Sequence, residues 1–157
     1  MIQVNENLLP GSNKVYSIKN KPTQAWGAVN FYTNDLGLEH GKEYTISFDV
    51  LTLGEKSRGN VGVFVTNRSG NEDTFKETIK VYGRVSSTFT YDENKSDRIG
   101  LTPGPAGKAG DCEASFDKVK LEEGSESTIY ILSKKDVKLE NQAIFPIGGG
   151  YHEVFPI

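Results

Sequence analysis

Two histidines, one cysteine and 21 acidic side chains are the material from which this 157-residue chain could build a reactive site. A nucleophile needs a base within hydrogen-bonding reach and a third group to orient that base, and His40 and His152 lie far apart in sequence. His40, in Glu39-His40-Gly41-Lys42-Glu43, falls in a turn-like stretch just before a strand and is expected in solvent. Cys112 is flanked by Asp111 and Glu113, whose negative charges oppose formation of a thiolate, so it is expected as buried filler. A single cysteine also excludes an intrachain disulfide and a multi-cysteine zinc site. Gly107-Lys108 is followed by Ala109 rather than Ser or Thr, and Thr102 stands where a phosphate-binding loop has its first glycine, which removes that chemistry. No carboxylate pair of the glycosidase kind stands apart by its surroundings. The chain is expected to be no enzyme.

Binding chemistry is better supplied. Trp26, in Gln24-Ala25-Trp26-Gly27-Ala28-Val29-Asn30-Phe31-Tyr32, lies close in sequence to Asn30, Asn34 and Asp35. Sugar rings present C–H faces that pack on aromatic rings, and their hydroxyls need amide or carboxylate partners. That mixture makes Trp26 and Tyr32 candidate carbohydrate contacts, with Tyr82 and Arg84 at a strand connection, and Arg98, as further candidates. The competing expectation is structural, because a lone tryptophan in a sandwich is a core residue more often than not.

The elements that must position these residues read as strands. In Tyr44-Thr45-Ile46-Ser47-Phe48-Asp49-Val50 the apolar side chains occupy every second position, so a pleated strand sends them to one face and Thr45, Ser47 and Asp49 to the other. Asn60 to Thr66 groups Val61, Val63 and Val65 in the same way, followed by the turn residues Asn67-Arg68-Ser69-Gly70-Asn71. Further strands are expected at Phe75 to Val81, Arg84 to Tyr91, Arg98 to Leu101 and Cys112 to Leu121, about eight between Asn7 and Leu121. Thr102-Pro103-Gly104-Pro105-Ala106-Gly107-Lys108-Ala109-Gly110-Asp111 must be a loop, since proline lacks the amide donor and glycine a side chain to pack. The sum is an all-β, antiparallel two-sheet sandwich of the jelly-roll kind over residues 1–125.

Composition changes after Gly124. Thr128-Ile129-Tyr130-Ile131-Leu132 reads as one more strand, and residues 126–157 as this strand, a polar linker and an extended C-terminal arm. The arm carries two Phe-Pro-Ile repeats around Gly148-Gly149-Gly150. Phe145, Tyr151, Phe155 and Ile157 are its candidate partner-binding residues, because burying such side chains is worth roughly 1.5–3 kcal/mol each. Packing back onto the chain's own sandwich is the alternative.

The 18 basic against 21 acidic residues give a formal charge of −3, which does not suit a nucleic-acid partner. No apolar run approaches the ~20 residues that cross a bilayer, and the first ten residues lack the features of a secretory signal. The Asn67 and Asn94 matches to a glycosylation acceptor therefore carry no weight.

Ala114-Ser115-Phe116-Asp117-Lys118-Val119-Lys120-Leu121-Glu122-Glu123-Gly124-Ser125 resembles the closing strand of carbohydrate-binding-module-like jelly rolls of bacteriophage tail, baseplate and fibre proteins, which end in a Val-Lys-Leu-Glu-x-Gly stretch. Asn7-Leu8-Leu9-Pro10-Gly11-Ser12, the Tyr44 to Val50 run and Ser87-Thr88-Phe89-Thr90 are similar to the early, central and late strands of that family, so the resemblance covers residues 7–125. It implies a virion structural protein, assembled in the host cytoplasm among other virion proteins and in contact with host cell-wall or capsular polysaccharide. Homo-oligomers are common in such particles. It also implies a structural calcium between the beginning of the chain and its last strand, at places that Glu6 and Asp117 match. A stand-alone carbohydrate-binding module is the alternative, and a hydrolase on a lectin-like sandwich a third.

Overall fold

A computed structural model describes residues 3–67 and 73–137. The strands are β1 (Tyr16–Lys19), β2 (Val29–Tyr32), β3 (Glu43–Leu53), β4 (Asn60–Thr66), β5 (Asp73–Lys80), β6 (Val85–Thr90), β7 (Arg98–Thr102) and β8 (Glu113–Glu123). They form two four-stranded antiparallel sheets, in the orders β1-β8-β3-β6 and β2-β7-β4-β5. Up to β4 the chain changes sheet at every connection, and the two orders together are those of a jelly roll. Helical structure among the described residues is confined to single 3-10 turns at Glu55–Ser57 and Lys134–Asp136. None is long or apolar enough to cross a membrane.

The alternation predicted from sequence builds the core. Tyr44, Ile46 and Phe48 of β3 face Val61, Val63 and Val65 of β4, and Ile99, Leu101, Phe116, Val119 and Leu121 complete the layer. Phe48 meets Phe116 edge to face at 5.2 Å, and Tyr16 meets Phe31 in the same way, the latter pair joining the two sheets. Burial of each such side chain contributes about 1.5–3 kcal/mol. On β8 the spacing from Phe116 to Val119 breaks the period of two. Lys118 adopts a left-handed backbone (φ 49°) opposite register shifts in β3, so a bulge resets the phase and returns Val119 and Leu121 to the core.

The outer face of the β1-β8-β3-β6 sheet is covered by the chain itself. Residues 128–132, expected as a strand, are extended but join no ladder. They cross the face of the sheet rather than its edge, so side chains satisfy their backbone. Lys120 Nζ donates to the Ile129 carbonyl at 2.7 Å, the Glu122 carboxylate accepts the Thr128 amide at 3.1 Å, and Asn7 Nδ2 donates to the Ile131 carbonyl at 3.0 Å. Asp136 then accepts the Gly11 amide at 2.9 Å. Under this strap Lys120 and Glu122 are both 0% exposed, with Nζ and Oε1 3.7 Å apart. Burial pushes the Lys120 ammonium below its usual pKa, partly opposed by the Glu122 carboxylate. The Thr128 hydroxyl closes the network, donating to Glu122 Oε1 at 2.6 Å while accepting from Lys120 Nζ at 2.7 Å. The arm residues Phe145, Tyr151, Phe155 and Ile157 lie outside the described residues.

Candidate functional site

The opposite outer face, that of β2-β7-β4-β5, holds three of the candidate contacts. The core takes Val61, Val63 and Val65 of β4, so the pleat turns Asn60, Gly62, Phe64 and Thr66 outward. Phe64 is the one large apolar residue in that outward phase. Ladder pairing sets it in a row across the whole sheet, Asn30 opposite Gly100, Gly100 opposite Phe64, and Phe64 opposite Lys76. The next row places Tyr32 opposite Arg98 and Arg98 opposite Thr66.

Phe64 is only 3% exposed because three groups cover it. Gly100 has no side chain, so the ring lies down over the neighbouring strand, where a Cβ would overlap it. Arg98 sets its guanidinium 5.5 Å from the ring centre. Trp26 stands edge-on to Phe64 at 5.5 Å and 87°, and is itself 40% exposed. The result is an indole raised on a buried ring in the middle of a polar sheet face. Tyr32, 53% exposed, and Asn30 flank it on β2.

Two loops hold Trp26 in this position. Asn20, buried beside β1, donates from Nδ2 to the Gly27 carbonyl at 3.0 Å and to the Ala109 carbonyl at 2.9 Å, tying the tryptophan loop to the 103–110 loop. The Ala109 amide returns a bond to the Ala25 carbonyl at 3.0 Å. Gly107 (φ +79°) comes so close to the indole that a Cβ would lie 2.9 Å from Trp26 Cζ2. The Pro-Gly stretch thus forms the loop its composition demanded, and the Ala106 amide fixes it to Thr78 Oγ1 on β5 at 3.0 Å.

The remaining candidates lie elsewhere. Tyr82 stands 87% exposed in the turn joining β5 to β6. Arg84 belongs to the strapped sheet, where it donates to Asp49 Oδ1 at 3.1 Å and Ser47 Oγ at 2.9 Å and lies near the Tyr130 ring. Neither joins the Trp26 face. Glu6 Oε2 pairs with Lys134 Nζ at 3.4 Å, and Asp117 Oδ1 accepts the Lys118 amide at 2.7 Å. Among the described residues no three acidic, histidine or cysteine side chains converge. Glu6 and Asp117 thus each hold a local partner of their own, a lysine ammonium and a backbone amide. Cys112 is buried, filling the space above Gly104.

Sequence reasoning missed Phe64, Gly100 and Lys76. Phase was the available signal, since an aromatic among Asn60, Gly62 and Thr66 is out of step with the valines. Arg98 adds a buried Nε that has no hydrogen-bond partner among the described residues, an arrangement that costs about 1–3 kcal/mol. Gly100→Ala tests the platform: forcing the Phe64 ring up should cost roughly 1–3 kcal/mol in stability, read by thermal or chemical denaturation, and displace Trp26.

No protein-family model and no curated protein matches the chain. Among solved structures it is similar to a CBM4 structure, with 21% identity over 70% of this chain and 71% of that chain and a TM-score of 0.48. It is also similar to the tripod from the baseplate of bacteriophage Tuc2009, with 17% identity over 85% of this chain and 60% of that one and a TM-score of 0.45. The CBM22-1 xylan-binding domain from Paenibacillus barcinonensis Xyn10C matches with 13% identity over 79% of this chain and 95% of that one, at a TM-score of 0.46. These identities are low, and the likeness is one of strand arrangement.

Proposed function

We propose that the outer face of the β2-β7-β4-β5 sheet binds a polysaccharide and that the chain holds this glycan without cleaving it. The observation that carries the reading is the partly exposed indole of Trp26 raised on the buried ring of Phe64 amid polar neighbours. A sugar ring laid on the indole buries its C–H groups, and Asn30 and Tyr32 of β2 offer its hydroxyls an amide and a phenol on the same face. Hydrolysis would need two carboxylates roughly 5–9.5 Å apart across the scissile bond, and the four strands of this face carry Asp73 and Glu77, of which Glu77 is turned away to accept from Ser87 Oγ.

Trp26→Ala tests the reading. Binding to bacterial wall or capsular polysaccharide should weaken at least about tenfold, or ~1.4 kcal/mol. The variant should stay folded with a lowered melting temperature, because the indole is 40% exposed but also covers Phe64. Unchanged binding sinks the proposal.

The setting we propose is a tailed-phage virion, where the chain is a tail, fibre or head-decoration component. The Val119-Lys120-Leu121-Glu122-Glu123-Gly124 stretch and its similarity to the closing strand of phage jelly rolls support this. In that setting Phe145, Tyr151, Phe155 and Ile157 dock on neighbouring virion proteins. Deleting residues 143–157 should abolish incorporation into particles while the sandwich stays folded. Incorporation that survives the deletion favours a stand-alone carbohydrate-binding module of a polysaccharide-degrading or cell-surface system, a setting the Trp26 face serves equally well.

A further inference from the structure

We infer that the polymer this face takes is an anionic glycan, one whose sugars carry carboxylate or phosphate groups. The inference rests on the glycan reading above and concerns which class of glycan fits. The chain carries a formal charge of −3, yet Lys76 and Lys80 of β5 and Arg98 of β7 stand in the outward phase of this face, and of the two acids in its four strands only Asp73 is in register with an outward position, opposite Thr66. The acid on β5 between the two lysines, Glu77, is turned the other way and accepts from Ser87 Oγ at 2.6 Å. Asp97, next to Arg98, has its Oδ1 buried.

The three cations are placed around the stacking rings. Lys76 Nζ lies 5.8 Å from the Trp26 ring and the Arg98 guanidinium 5.5 Å from that of Phe64, so one cation stands by the indole and another by the ring beneath it. Lys80, opposite Asn60, extends the charge along β5. Among the described residues none of the three is in an ion pair, whereas Arg84 on the other sheet is held by Asp49 at 3.1 Å. A sugar stacked on Trp26 would point its ring substituents at Lys76 and Arg98. The Arg98 guanidinium has a planar fork of N–H donors that matches a carboxylate or phosphate. Unpaired cations on a water-facing sheet also raise the encounter rate with a polyanion.

The experiment measures binding of the full chain to four polymers: polygalacturonate, its carboxyl-reduced neutral counterpart, a ribitol-phosphate teichoic acid and poly-L-glutamate. Polygalacturonate or the teichoic acid should bind about tenfold or more tighter than the neutral polymer, and the preferred one identifies the anionic group. Added salt should weaken that binding. Lys76→Gln with Lys80→Gln, both exposed and so without consequence for the fold, should bring the preference close to unity, while Trp26→Ala weakens every sugar polymer. Equal affinity for the neutral polymer overturns the inference and leaves the glycan reading standing. Poly-L-glutamate binding as tightly as the acidic sugars also overturns it, reducing the face to charge capture. Binding to none of the polymers overturns both.

Discussion

Glu122→Ala should lower the unfolding free energy by about 3–5 kcal/mol, the largest stability loss expected of any single exposed-phase position in the fold. The substitution leaves Lys120 buried without its carboxylate and strips the Thr128 amide and hydroxyl of their acceptor. Burial already holds the Lys120 ammonium below its ordinary pKa, so the residual charge would be poorly tolerated. Replacing both partners with apolar residues of similar size, Lys120→Met with Glu122→Leu, should recover only part of the loss, since the desolvation cost disappears with the charges but the Thr128 amide and Ile129 carbonyl stay without partners. Urea denaturation followed by circular dichroism reads both. A loss below about 1 kcal/mol for Glu122→Ala would mean that the strap is held by other contacts.

Phe64→Ala is the second large effect, about 3 kcal/mol or somewhat more, from the emptied volume beneath Trp26 and Arg98. It should also abolish glycan binding, because the indole loses the ring that sets its height and angle. The contrast with Trp26→Ala is informative: that change removes the proposed contact at a smaller cost in stability, whereas Phe64→Ala removes the support beneath it. Phe64→Leu, which keeps most of the volume, should restore stability to within about 1.5 kcal/mol while leaving binding impaired. Isothermal titration alongside thermal melting separates the two readouts. Full binding by a folded Phe64→Ala variant would place the glycan contact elsewhere.

The long strands were legible because their side chains alternate against a dry interior. Tyr44 to Val50, Asn60 to Thr66 and Arg98 to Leu101 each fall within the strand that their pattern indicates. The four-residue strands β1 and β2 were not, since four positions carry too little alternation to rise above the surrounding turns. Trp26, Tyr32 and Arg98 could be named from residue type, but their meeting on one face depends on strand order, which alternation leaves undetermined. Phe64 was hidden for the opposite reason, since an aromatic flanked by Val63 and Val65 reads as one more core residue. Lys120 and Glu122 follow the outward phase of β8 and would be assigned to water. They are buried because a segment that follows the strand folds back over them, and side-chain periodicity within a strand carries no record of such a cover.

The strap gives the domain a front and a back. The described chain ends at Val137, beyond the covered surface of one sheet, while the indole looks out from the other. The backbone leaves its strap at Asp136, so a pull applied there is borne first by the ties to Gly11, Asn7 and Glu122 and reaches the indole only through the whole thickness of the sandwich.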